Sequence, residues 1–255
     1  MKIGVLVSQV PDPNAVRLDP RAGSIQAGIP QVPNEYDLYA MEAAIQLQER
    51  GGEVELVVVT LGAAKDTINR CLAMGADRAI TIDDPISANV DSAGTSVILA
   101  AVARAEGFDL LLVGQETSDG GTGTVGPELA ALLDLPVVSN VVALSEDGGT
   151  LSLEREVEDG RQRVEVALPA VVCALSGLTE PRHPSLKGIM GARRKPAGTR
   201  SLEDLGLDPE AVPSRVSWGA LYAEQEKAAG IILHDVDPDA AVDQLMAFLR
   251  ERKLI

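Results

Sequence analysis

Two stretches of the chain carry residues whose types and spacing suit binding chemistry. The first runs Gly114-Gln115-Glu116-Thr117-Ser118-Asp119-Gly120-Gly121-Thr122-Gly123-Thr124-Val125-Gly126-Pro127-Glu128, after an apolar strand-like segment and before a helical pattern through Leu129, Leu132 and Leu133. Glycines let the backbone approach an anion closely, and the Ser and Thr hydroxyls offer further hydrogen bonds. A helix start adds unpaired N–H groups and the positive end of the helix dipole, which together favour a phosphate. No Gly-Lys-Ser/Thr follows, so this is not a Walker loop, and the glycine spacing of a dinucleotide fingerprint is missing. A ligand-free βα connection is the other reading of the same residues. Asn34–Asp37 and Leu61-Gly62 fall at the ends of other strands or the starts of their helices, positions that line the same crevice in an α/β sheet.

The second stretch is Leu178–Pro196, which gathers Arg182, Lys187, Arg193, Arg194 and Lys195 around Leu186, Ile189 and Met190. It reads as a short helix with an apolar face and basic flanks. Apolar anchors rimmed by charge suit partner docking; a solvated loop whose Leu and Ile pack back onto the domain is the plainer reading. Acid–base, nucleophilic and metal constellations are not visible. Cys71 and Cys173 fall in helical and strand patterns and read as buried free thiols. His183 and His234 lack metal-ligand spacing, and there is no Gly-x-Ser-x-Gly elbow.

The bulk composition narrows the partners. With 45% apolar residues among 255, the chain can build a sizeable core, but only 2% are aromatic, so Val, Ile, Leu and Ala must fill it. A formal net charge of −16 repels nucleic acid and anionic membranes. No charged and apolar leader opens the chain and no apolar run approaches the ~20 residues of a membrane helix, so a soluble, cytoplasmic protein is expected.

The elements that must position these stretches alternate. Ile3–Val7, Val54–Thr60, Ala79–Ile82 and Asp109–Val113 read as strands, and their near-continuous apolar character fits a parallel sheet covered on both faces. Helical patterns intervene: one begins at Asn34 as N-cap with Asp37 at its third position and an apolar face of Leu38, Met41 and Ile45; others run Thr67–Met74 and Ser92–Ala105. This rhythm implies right-handed crossovers and a mostly parallel, doubly wound, Rossmann-like sheet. After Pro136 the pattern changes. Leu151–Glu156 and Arg163–Leu168 form a hairpin across Glu158-Asp159-Gly160, and Ala170–Leu175 is again a buried strand. A linker containing Trp218 leads to a last helix with Asp237 as cap, Pro238 in its first turn and Val242, Leu245, Met246 and Leu249 on one face. The expected division is an α/β domain over 1–200 and a C-terminal arm over 201–255 that packs on another domain or chain.

The segment Thr179-Glu180-Pro181-Arg182-His183-Pro184-Ser185-Leu186-Lys187-Gly188-Ile189-Met190-Gly191-Ala192-Arg193-Arg194-Lys195 resembles the signature of the electron-transfer flavoprotein beta-subunit family. Val7-Ser8-Gln9-Val10-Pro11-Asp12, Ala73-Met74-Gly75-Ala76-Asp77-Arg78, Glu154-Arg155-Glu156 and Leu168-Pro169-Ala170-Val171-Val172 resemble further family motifs, in order and across most of the chain. The resemblance implies an electron carrier subunit, not an enzyme, paired with an alpha subunit that holds most of the redox FAD. It implies that this subunit binds AMP, or a second FAD, through Leu6, Asn34, Glu35, Tyr36, Asp37, Leu61 and Asp119–Ala130. It also implies docking of acyl-CoA dehydrogenase-type donors through Leu186 with its neighbours, delivery to a membrane quinone oxidoreductase, and contact of Glu156 with the flavin domain. The family loop has a second Asp and a Gln that are absent here, which leaves AMP against FAD open. The competing reading is a stand-alone adenine-nucleotide sensor of the universal stress protein type.

Overall fold

Apolar runs become the strands of one sheet because each has helices to cover both of its faces. In the computed structural model, which describes the chain except residues 20, 89, 213, 218 and 223–229 and, among side chains, also 87, 88 and 211, the strands are β1 (Lys2–Leu6), β2 (Glu55–Leu61), β3 (Arg78–Ile82), β4 (Leu110–Gly114), β5 (Val137–Asp147), β6 (Thr150–Val157), β7 (Gly160–Ala167), β8 (Ala170–Ala174) and β9 (Ala197–Arg200). Trp218 therefore lies outside the described residues. The spatial order is β7-β6-β5-β8-β4-β1-β2-β3-β9. Neighbours from β5 to β9 pair in parallel, and β6 and β7 add an antiparallel hairpin. This is the mostly parallel α/β fold expected, with its hairpin in place.

The helices are α1 (Glu35–Glu49), α2 (Lys65–Met74), α3 (Ser92–Glu106) and α4 (Val125–Leu133). Side chains alternate across each strand. Ile3, Val5, Leu110 and Leu112 pack with residues of α1 and α2, while Leu6, Leu111 and Val113 pack with residues of α3 and α4. Local signals agree with this packing. Asp91 caps α3 by accepting Gly94 N–H at 3.0 Å, and Gly107 closes it at φ 65°.

Two strands of this sheet escape the sequence reading. β5 pairs in parallel with β8 through Val137, Val138 and Val141, then antiparallel with β6 from Ala143 to Asp147. Its first half is covered differently from its second, so no single periodicity runs through it. β9, Ala197-Gly198-Thr199-Arg200, is an edge strand with little apolar character, recruited by the open edge of β3. The compact α/β unit also runs further than residue 200, to Leu221. Leu202 is fully buried and Leu205 and Leu207 pack beside it on the α3/α4 side. The second unit covers residues 222–255. It holds α6 (Pro238–Glu251), capped by Asp237, with Val242 57% and Leu245 55% exposed. Among the described residues no helix is long and apolar enough to cross a membrane.

A buried acid ties the edges together. Glu106, at the end of α3, has a side chain 7% exposed and accepts from Lys2 at 2.8 Å and from Arg78 and Arg200 at 2.6 Å each. Burial alone would raise its pKa, but the Lys2 and Arg78 contacts win and hold it down from 4.5 to about 2. Its folded pKa is depressed, so its contribution to stability is complete above about pH 4.5 and is lost as pH falls towards 2. Glu106→Gln should lower unfolding free energy at pH 7 by on the order of 3 kcal/mol and flatten the acid limb of stability in that window, as read by denaturant titration at stepped pH.

Candidate functional site: a crevice at the switch point of the sheet

Chain order in the sheet reverses at β1: β2 and β3 lie on one side of it and β4 on the other. α1 leaves β1 over one face of the sheet and α4 leaves β4 over the other. The carboxyl ends of β1 and β4 therefore meet between two helix starts, the position at which sheets of this topology form their ligand-binding crevice. Two hollows lie elsewhere, one beside Ala43, Leu47 and Leu144 and one beside Lys2 and Asp109; neither sits at the strands' carboxyl ends.

The two sides of the crevice are held by residues of α1. Asp37 is buried, and its carboxylate accepts Ser8 N–H at 2.7 Å from the chain leaving β1 and Gly114 N–H at 3.0 Å from the end of β4. Burial pushes its carboxyl up to about 7, although the Ser8 and Gly114 N–H groups and the Asn34 side chain favour the charge. A raised folded pKa means that this group favours the fold fully below the ordinary carboxylate range and loses that advantage as pH rises through about 7. Gly114 is required by the approach, because a Cβ there would overlap the Asp37 carboxylate and Tyr36. Asn34 stands at the N-cap position as read from the sequence, but its side chain makes no capping bond. Instead its Nδ2 donates to Glu116 O at 2.9 Å and its Oδ1 accepts Ser118 N–H at 3.2 Å, fastening the glycine-rich loop to α1.

The loop is also fastened at its root. Gln115 N–H donates to Ala174 O at 2.8 Å, and its side-chain oxygen accepts Asn140 N–H at 2.8 Å. Thr117 O accepts Gly121 N–H at 2.8 Å and its hydroxyl accepts Gly120 N–H at 3.3 Å, turning the chain back. Gly121 and Gly123 take φ 59° and 62°, the left-handed region that a side chain disfavours. Thr124 makes no side-chain cap to α4, and the first intrahelical bond runs from Glu128 N–H to Thr124 O. The N–H groups of Val125 and Gly126 thus precede the ladder, and Pro127 contributes none. The loop carries Glu116 and Asp119 but no Lys or Arg, so an anion held here depends on backbone donors and the helix dipole.

The remaining nucleotide-site expectations divide. Asp119, Thr122 and Thr124 are exposed on the loop, and Leu61 is half-buried at the end of β2. Leu6, Leu129 and Ala130 belong to the core beneath the crevice. Glu128 is engaged with α3, accepting from Ser92 and Ser96 at 3.3 and 3.0 Å. Glu35 accepts the Tyr39 hydroxyl at 2.7 Å, and Tyr36 meets the Tyr39 ring edge to face. Ser8, Gly114 and Gln115 complete the site without having been among the expected nucleotide contacts; the sign in the sequence was a Gly-Gln pair closing a buried strand.

The second predicted surface is α5 (Leu186–Ala192), capped by Ser185. Leu186 is 76%, Ile189 50% and Met190 68% exposed. Arg193 and Arg194 are exposed beside them. Lys195 differs: its amine donates to the carbonyls of Leu72, Gly75 and Ala76 at the end of α2. Glu156, in β6, accepts Arg161 of its own hairpin at 3.3 Å.

Gly126 offers a direct test of the loop's seat. A Cβ there would overlap Cys173 Sγ and crowd Val113, so the start of α4 lies directly against β8 and β4. Gly126→Ala should destabilise the fold by about 1–3 kcal/mol through overpacking, and Cys173→Ala in the same chain should recover most of that loss in thermal unfolding.

Known proteins similar to this chain fall in one family. The electron transfer flavoprotein domain model matches residues 24–205. The beta subunit of the electron transfer flavoprotein of Bacillus subtilis is 38% identical, with 91% of this chain and 92% of that protein aligned. The caffeyl-CoA reductase-Etf complex subunit CarD of Acetobacterium woodii is 33% identical with both chains aligned over their whole length. FixA of Azorhizobium caulinodans is 31% identical over 100% of this chain and 96% of its own. Extended matches of this kind, in a chain with a mostly parallel α/β sheet, place it plainly: it belongs to the electron transfer flavoprotein family, as a member of its beta-subunit branch.

Proposed function

We propose that this chain is the beta subunit of a heterodimeric electron-transfer flavoprotein that holds an adenine nucleotide, AMP or a second FAD, in the β1/β4 crevice. The observation that carries this reading is what converges at the carboxyl ends of β1 and β4. This is the topological switch point, where the α1 start, the loop pinned by Asn34 and the free N–H groups opening α4 meet. The redox FAD belongs mainly to the alpha subunit, and this chain supplies the nucleotide, the heterodimer contact and the docking surface. The exposed apolar side chains of α6 are the surface offered to the alpha subunit. Leu186, Ile189 and Met190, with Arg193 and Arg194, meet a donor dehydrogenase. A relative named for a caffeyl-CoA reductase complex favours a donor or acceptor that handles CoA thioesters, as an acyl-CoA dehydrogenase does in fatty acid oxidation. Electrons then pass to a quinone oxidoreductase, with this subunit acting in the cytoplasm and Glu156 touching the flavin domain.

Co-expression with the alpha subunit, followed by denaturation and counting of released nucleotides, tests the reading. One FAD and one AMP per heterodimer is the outcome expected of a simple carrier, and two FAD would put a flavin in the crevice. A heterodimer without flavin overturns the reading. Leu186→Ala should weaken donor docking by ~2 kcal/mol, read as a rise in KM for the carrier in donor-driven reduction, with nucleotide content unchanged.

A further inference from the structure

The span that carries α5 is fixed at both ends by charge. At its start, Glu42 of α1 has a side chain only 4% exposed, and a carboxylate so buried requires a partner. That partner arrives from 140 residues away: Arg182 Nε and Nη2 donate to the two Glu42 oxygens at 2.8 Å each. Arg182 Nη1 and Nη2 also reach Glu49 at 2.5 and 2.9 Å. Burial works against the Glu42 charge, yet the Arg182 and Gln46 hydrogen bonds hold its carboxyl below the usual range. At the other end, Lys195 Nζ meets the carbonyls of Leu72, Gly75 and Ala76 at 3.0, 3.2 and 2.6 Å. These are the unpaired acceptors that close α2, where a cation is favoured. Between the two, Gly188 sits against the Ala73 carbonyl with no room for a side chain.

We propose that Arg182 and Lys195 are positioning residues, two clamps on α1 and α2 that stretch the α5 span over the domain and keep Leu186 and Met190 turned outward. The idea rests on the docking role given to that surface above. A hook ordered before the encounter spares the complex the entropy of ordering it, which is how rigidity becomes affinity. Lys195 thereby leaves the docking set, since its amine is spent on α2, whereas Arg193 and Arg194 remain at the surface.

The test uses the assembled heterodimer carrying Glu42→Gln with Arg182→Gln, a pair that leaves no lone buried charge, and separately Lys195→Met, which keeps the apolar stem. Trypsin cleavage after the exposed Lys187 should accelerate roughly tenfold in both, with unfolding temperature and nucleotide content held at parental values. KM for reduction by an acyl-CoA dehydrogenase should rise several-fold with kcat unchanged, and Arg182→Lys alone should retain part of the effect of Arg182. Parental cleavage rates, or a parental KM despite faster cleavage, overturn the clamps. Leu186→Ala in the same assay separates the two ideas. An unchanged KM there overturns the docking surface itself, whereas a raised KM there with clamp variants at parental values overturns only the clamps.

Discussion

One buried carboxylate holds the centre of this molecule together. Asp37 takes an N–H from the exit of β1 and another from the end of β4, so two neighbouring strand ends and the start of α1 share a single acceptor. Each of those N–H groups would otherwise sit at a strand end without a ladder partner. Asn34, one turn earlier, extends the same link to the glycine-rich loop. One helix turn therefore holds the exit of β1, the end of β4 and the glycine-rich loop together, and Gly114 is there because nothing larger fits.

The chain is strongly acidic, and its buried acids are treated in two different ways. Glu106 and Glu42 each face arginine or lysine, and both are held below the ordinary carboxylate range despite burial. Asp37 faces the Ser8 and Gly114 N–H groups and the neutral side chains of Asn34 and Ser8, so desolvation prevails and its pKa moves up to about 7. The physical difference is a full opposing charge against partial dipoles. The two paired acids do mechanical work: Glu106 joins β1, β3 and β9 through their cations, and Glu42 anchors the α5 span. α1 meets the strand ends at its first turn and holds the α5 span through Glu42 and Glu49 further along. One helix thus links the switch point of the sheet to the α5 span.

Much of this was legible along the chain, for reasons of local physics. Val57–Val59 and Leu110–Val113 are apolar on both faces, which only a covered parallel strand tolerates. Glu158-Asp159-Gly160 announced the hairpin, and the Gly/Thr loop after a buried strand announced an anion-friendly turn. Leu186, Ile189 and Met190 stood among basic residues that a core would not accept, and they are exposed. β5 was hidden because its two halves answer to different neighbours, and β9 because an edge strand needs little hydrophobicity once a partner edge is open.

Residue type and spacing determined the kind of sheet, the glycine-rich turn after β4 and the exposed apolar face of α5 beside basic residues, because each depends on neighbours a few residues apart. Only the folded chain decided that Asn34 would hold a loop instead of capping its helix, that Lys195 would close α2 instead of joining Arg193 and Arg194 at the surface, and that Leu202 and Val212 would enter the core. Those choices are made by hydrogen-bond and packing partners far away in sequence, and a periodicity carries no record of which distant carbonyl or carboxylate a side chain will find.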